Sequence, residues 1–134
     1  MEWNKGQFLI SDDKDKIQIE LVLRLLLGSY WAKDLEREVI EKAIQNSVCF
    51  GIYCDNKQIG FARAITDRAV MTWILDVIVD EQFRGNGLGK WLVECMLNHP
   101  ELKDTKFRLT TSDAHELYRK FGFDQEKIMV RQRV

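Results

Sequence analysis

Hydrophobic and polar positions change period several times along the chain, and each change marks an element. "QFLI" reads as a short strand, and in the following "SDDKDK" Ser11, Asp12, Asp13 and Asp15 offer helix caps. Ile17, Leu21, Val22, Leu25 and Leu26 then recur at helical spacing, with Gly28 as a stop. "GSYWAK" reads as a loop. Asp34 can cap a second helix that carries Val39, Ala43 and Ile44 on one face and charges on the others. The period then shortens to two. "SVCFGIYC" and "QIGFARAIT" are β-rich runs joined by "DNK", and a second turn, "DRA", leads into "VMTWILDVIVD". The near-continuous apolarity of that last run predicts a strand covered on both faces. From Leu88 the helical period returns: Leu88, Trp91, Leu92, Cys95 and Met96 form one face, and Lys90, Glu94 and Asn98 the opposite stripe. Asn98, His99 and Pro100 end it. "KFRLTT" is a further strand, "SDAHELYRKFGF" a short helix capped by Asp113 and closed by Gly122, and "KIMVRQRV" a terminal strand. The order is βααβββαβαβ, an α/β domain with hairpins ahead of a strand–loop–helix unit.

Composition narrows the class. The 134 residues contain no repeat, low-complexity tract or Pro/Ser-rich linker, so one domain over 1–134 is expected. Net charge is −1 without a long basic run, which points to neither nucleic acid nor an anionic membrane as partner. The N-terminal stretch has no apolar signal core, and no apolar run is long enough to span a bilayer. Cys49, Cys54 and Cys95 lack metal-type spacing and only His99 and His115 accompany them, so no disulfide framework or metal site is predicted; a cytoplasmic location fits.

The chemistry concentrates in "FRGNGLGK". Three of eight glycines, Gly85, Gly87 and Gly89, stand between a strand and a helix, behind Arg84 and ahead of Lys90. Free N–H groups at the positive end of a helix make an anion site, and glycines let a phosphate approach the backbone. Arg84 and Lys90 add cationic donors. Spacing excludes two phosphate loops. The Walker form needs glycine where Arg84 stands and Ser or Thr where Trp91 stands, and the dinucleotide form needs G-x-G-x-x-G near the first strand. A plain tight βα turn is the simpler reading of the glycines.

The pattern that fits is R-G-x-G-[LI]-G, which resembles the acetyl-CoA pyrophosphate loop of the GNAT superfamily of N-acetyltransferases. Downstream, "AHELYRKFGF" is similar to that superfamily's second signature, A-x-x-L-Y-x-x-x-G-F. The resemblance covers about residues 70–123. It implies a GNAT-like fold: a mixed central sheet of six to seven strands flanked by about four helices, splayed between the strand before the glycine loop and the next. It further implies acetyl-CoA as co-substrate, with no metal. Val77, Ile78 and Val79 would pair with the pantetheine arm, and Arg84, Gly85, Asn86, Gly87, Leu88, Gly89 and Lys90 would hold the pyrophosphate. A backbone N–H of the splayed strand would face the thioester carbonyl. Thr111 stands where many relatives carry a cofactor-contacting Asn.

Tyr118 occupies the superfamily's general-acid position, the alternative being a packing tyrosine beside Phe121 and Phe123. Asp76, inside an apolar strand, reads as a base or as a satisfied buried carboxylate. His115 reads as an exposed first-turn residue or a base. The resemblance puts the acceptor pocket near "LLGSYWAKD" and the hairpins, with Tyr30 and Trp31 as lining residues or ordinary packing. Arg63, Asp67 and Arg68 are charges that could select an acceptor or merely be solvated. The expected activity is N-acetylation of a small-molecule or peptide amine by direct attack in a ternary complex. The alternative is an acyl-CoA-binding regulatory module on the same fold, and a homodimer is compatible with either.

Overall fold

A computed structural model describes residues 1–28, 36–111 and 113–133. Its strands are β1 (Glu2–Lys5), β2 (Phe8–Ser11), β3 (Val48–Cys54), β4 (Lys57–Thr66), β5 (Met71–Val79) and β6 (Lys106–Leu109); its helices are α1 (Ile19–Leu27), α2 (Arg37–Gln45), α3 (Leu88–Leu97) and α4 (His115–Arg119). The strands form one mixed sheet in chain order, antiparallel from β1 to β5 and parallel between β5 and β6.

Turn chemistry sets the hairpins. Asp55 and Asn56 both take positive φ, 51° and 66°, the primed turn that matches strand twist between β3 and β4. At the β4–β5 turn Asp67 Oδ1 accepts N–H groups from Ala69, Val70 and Met71, which holds its carboxyl below the usual range. Asp67 is therefore a turn-former. Arg68, also at positive φ, pairs with Glu101 on the surface.

Alternation along the strands feeds two cores. Phe50, Ile52, Ala62, Ala64 and Ile74 pack against Leu88, Leu92, Cys95 and Met96 of α3. On the opposite face Cys49 and Phe61 meet Val22, Leu23 and Leu26 of α1 and Ile40 and Ile44 of α2. The near-continuous apolarity of the sheet strands reflects this double covering. The reciprocal hydrogen bonds of Gln18 and Gln58 tie the start of α1 to β4.

Four local expectations are corrected. The acidic cluster before α1 caps a 3-10 turn (Lys14–Lys16), through Asp13 on Asp15 N–H, and α1 itself starts at Gln18 without a side-chain cap. The buried face of α2 carries Ile40 and Ile44, while Val39 is exposed, a rotation of about one residue. Thr111 Oγ1, not Asp113, accepts the N–H of Ala114 at the mouth of α4. The "KIMVRQRV" segment forms no strand over its described residues, whereas the N-terminal β1, unread in a largely polar stretch, does. Asp34 lies outside the described residues.

Candidate active site

The central feature is an interruption in β5. Its pairing with β4 runs Leu75 opposite Arg63 and then Ile78 opposite Phe61, so Asp76 and Val77 together face Ala62. This is a β-bulge, and Asp76 sits in it at φ 57°, a conformation that Asp tolerates better than most residues. The bulge inverts the side-chain alternation. Ile74 belongs to the α3-side core, and after the bulge Val77 and Val79 return to that side, with Ile78 on the other.

Pairing with β6 covers only residues 71–74 of β5, against residues 106–109. Residues 75–79 continue without a partner strand on that side among the described residues, and the sheet opens there. The open half feeds a cleft of about 790 Å³ lined by Val77, Ile78 and Val79, by Arg84, Gly85, Gly87, Leu88 and Gly89, and by Arg24, Leu25 and Gly28 from the α1 side.

The loop at the mouth of the cleft is built by its glycines. Gly85 at φ 90° and Gly87 at φ 70° need positive φ, and Gly87 is the N-cap of α3. Gly89 differs: a Cβ there would stand 3.9 Å from Val79, an ordinary contact, so neither backbone nor protein packing demands glycine. What glycine preserves is bare backbone facing the cleft. Arg84 Nε donates to Val79 O at 3.2 Å, and Asn86 Nδ2 to Phe83 O at 2.9 Å, which holds the turn. Leu88 is buried in the core and anchors the helix mouth. Asn86 and Lys90 belong to this loop but do not line the cleft.

Arg24 is a cleft residue without a signal in the sequence pattern. Its Nη2 donates to Asp80 Oδ2 at 2.9 Å, and Asp80 also caps the 3-10 turn (Glu81–Phe83) leading into the loop. An arginine on the polar side of an amphipathic helix looks like any solvated charge until the fold closes over it.

Asp76 does not line the cleft; Arg63 Nε donates to its Oδ2 at 2.8 Å, with both side chains 15% exposed. Tyr118 and Thr111 line a second cavity, of about 540 Å³, with Trp73, Phe107, His115 and Phe123. The Tyr118 ring meets Phe123 edge-on at 5.8 Å, and burial, with Asp113 adding, raises its phenol above the ordinary value. His115 is half-buried there rather than exposed. Trp73 precedes and Val77 follows the bulge, so the two cavities succeed one another along β5. Buried His99 accepts the Glu101 N–H at Nδ1 and so directs Nε2–H to Asp12, a structural link. Tyr30 and Trp31 lie outside the described residues. No helix among the described residues is long and apolar enough to cross a membrane.

Known proteins share this architecture. Residues 45–125 match the family model described as an acetyltransferase (GNAT) domain. A Gibberella zeae protein provisionally named an acetyltransferase is 26% identical over 88% of this chain and 79% of its own length. Four further curated relatives match about half of this chain, which spans 28% to 41% of their length. A solved Xanthomonas campestris structure, provisionally named an acetyltransferase of the GNAT family, superposes with a TM-score of 0.89 and 37% identity, covering 93% of this chain and 92% of that one. A GNAT family acetyltransferase from Elizabethkingia anophelis, solved with acetyl-CoA bound, shares the fold at a TM-score of 0.70 and 22% identity, over 92% of this chain and 80% of its own. With an open mixed sheet, a bulged strand and a glycine loop at a helix mouth, the chain belongs to the GNAT acetyltransferase family.

Proposed function

We propose that the protein transfers the acetyl group of acetyl-CoA to an amine acceptor. One observation carries this reading: the open half of β5 leads into a helix mouth whose Gly89 no internal contact requires. The edge of residues 75–79 turned away from β4 suits an amide-bearing arm lying alongside as an added strand. The bare N–H groups at Gly87, Leu88 and Gly89, with the α3 dipole behind them, suit a pyrophosphate. Arg84 and Arg24 supply cations on the two sides of the cleft.

In the reaction the acceptor nitrogen attacks the thioester carbonyl, the C–N bond forms and the C–S bond breaks. A backbone N–H beyond the bulge is aimed to steady the carbonyl oxygen as it gains charge. The amine proton leaves to water, because Asp76 already accepts from Arg63. The departing thiolate takes a proton from Tyr118. Burial keeps that phenol protonated at neutral pH, and its cavity is lined in part by β5, through Trp73, as the cleft is through Val77. The Elizabethkingia structure with acetyl-CoA supports the choice of donor.

Calorimetry against acetyl-CoA, with ATP as control, tests the donor; binding of ATP but not of acetyl-CoA would sink the reading. A screen of CoA release across small amines, polyamines, aminoglycosides and peptides tests the acceptor class. Tight acetyl-CoA binding without release for any of them would favour the regulatory-module alternative.

A further inference from the structure

Four non-glycine residues among those described take positive φ. Asp55, Asn56 and Arg68 sit in turns, and Asp76 alone stands inside a strand. Its side chain is not left to itself. Arg63 Nε donates to Asp76 Oδ2 at 2.8 Å, and Arg63 Nη1 donates to Ser47 Oγ at 3.2 Å. Ser47 Oγ in turn donates to Ala43 O at 2.6 Å, on the last turn of α2. A chain of polar contacts thus runs from α2, across β4, to the bulge in β5. An ion pair this far removed from water gains little net stability over apolar residues of similar size, so its effect is chiefly geometric.

We propose that Arg63 and Asp76 are a positioning pair. Arg63, anchored on the end of α2 through Ser47, holds the Asp76 carboxylate and with it the bulge that turns Val77, Ile78 and Val79 into the cleft. The proton-accepting role a lone carboxylate could play here is given up, since Asp76 faces a guanidinium and lines neither cavity. Asp suits the position twice over, tolerating the left-handed backbone and offering the anion. This inference rests on the acetyl-CoA reading, because its consequence is felt by the pantetheine arm.

Two probes separate that arm from the rest of the donor: acetyl-CoA, and adenosine 3′,5′-bisphosphate, which has no pantetheine. Asp76→Ala and Arg63→Gln are expected to weaken acetyl-CoA binding about tenfold while leaving the bisphosphate within about twofold. Asp76→Asn keeps the left-handed tolerance and an acceptor for Arg63, and should restore acetyl-CoA affinity to within about threefold of wild type. In the free protein, amide hydrogen exchange at Ile78, which is paired with Phe61 of β4, should quicken in Asp76→Ala and Arg63→Gln, with Thr72 and Ile74 unchanged. Equal weakening of both probes, or exchange rising throughout β5, would reveal a general structural role and overturn the proposal. So would wild-type acetyl-CoA affinity in Asp76→Ala, or a failure of Asp76→Asn to restore it. Should Asp76→Ala not fold, Arg63→Lys carries the same comparison, with acetyl-CoA weakened and the bisphosphate not. If the wild-type protein binds neither probe, the acetyl-CoA reading has failed and this inference falls with it, a result distinct from normal wild-type binding with insensitive variants.

Discussion

The two halves of β5 are nine consecutive residues of one strand with opposite roles. Residues 72–74 are paired on both sides, with β4 and β6, and Met71 with β6, and their side chains tie the sheet together. Thr72 is fully buried, donating to Thr66 Oγ1 at 2.9 Å and lying 2.7 Å from Thr105 Oγ1. Residues 75–79 have only β4 as a partner among the described residues and turn their other edge to a cleft. Composition does not separate the halves, since "MTWI" and "VIV" are both apolar. The bulge at Asp76 and the divergence of β6 do. A strand edge is usually a hazard that proteins cover, and one left open beside a helix mouth is set up to be completed by a ligand.

The largest expected break falls at the open end. Gly87→Val puts a β-branched residue at φ 70°, and the loss of one or two charge-assisted hydrogen bonds to phosphate should weaken CoA binding about a hundredfold by calorimetry. A smaller but chemically specific loss is expected in the second cavity. Tyr118→Phe should lower kcat roughly 10- to 100-fold for any accepted amine and leave the KM for acetyl-CoA near its wild-type value. Because burial raises the Tyr118 phenol, its proton is retained below the ordinary tyrosine value and lost only above it. The wild-type rate should therefore climb with pH as the amine deprotonates, with no falling limb below about pH 10. A fall near pH 8 would assign the acid elsewhere.

The doubly paired half should respond in the opposite currency. Thr72→Val removes a buried hydroxyl that bridges Thr66 and Thr105, costing about 1–2 kcal/mol and lowering Tm by roughly 3–10 °C, with CoA affinity unchanged. A parallel loss of CoA binding would mean that the halves are not independent. The smallest effect is expected at Arg24, whose side chain is 59% exposed. Arg24→Gln should weaken CoA binding roughly two- to fivefold, and less at high salt, as befits a screened cation beside Asp80.

Much of this was legible before any coordinates. "DNK" and "DRA" announced hairpin turns because Asn and Asp accept backbone angles that other side chains resist. Leu88, Leu92, Cys95 and Met96 announced the buried face of α3 through their spacing. The glycine loop and "LYRKFGF" announced the family together. Other features were beyond one-dimensional reading. The face of α2 was misjudged by one residue because Val39 and Ile40 are equally apolar, and only packing against Cys49 and Phe61 decides between them. The C-terminal "KIMVRQRV" alternates like a strand, but no partner edge receives it over its described residues. Asp113 does not cap α4, whose N-cap is Ala114, and Thr111 Oγ1 accepts the Ala114 N–H instead, a contest between two good acceptors two residues apart.

Asp76 shows most clearly where the boundary lies. A charged residue between Leu75 and Val77 could be recognised as anomalous from sequence, and catalysis was one reasonable explanation. Which explanation holds depends on Arg63, thirteen residues earlier, and on Ser47 at the end of a helix. By itself the sequence determined most of the elements, the phosphate-suited loop and the family, because spacing and backbone preference are local properties. The tertiary structure decided where the sheet opens, which arginine reaches the cleft and what Asp76 faces. Those outcomes depend on register and on contacts between residues distant along the chain, which no local pattern encodes.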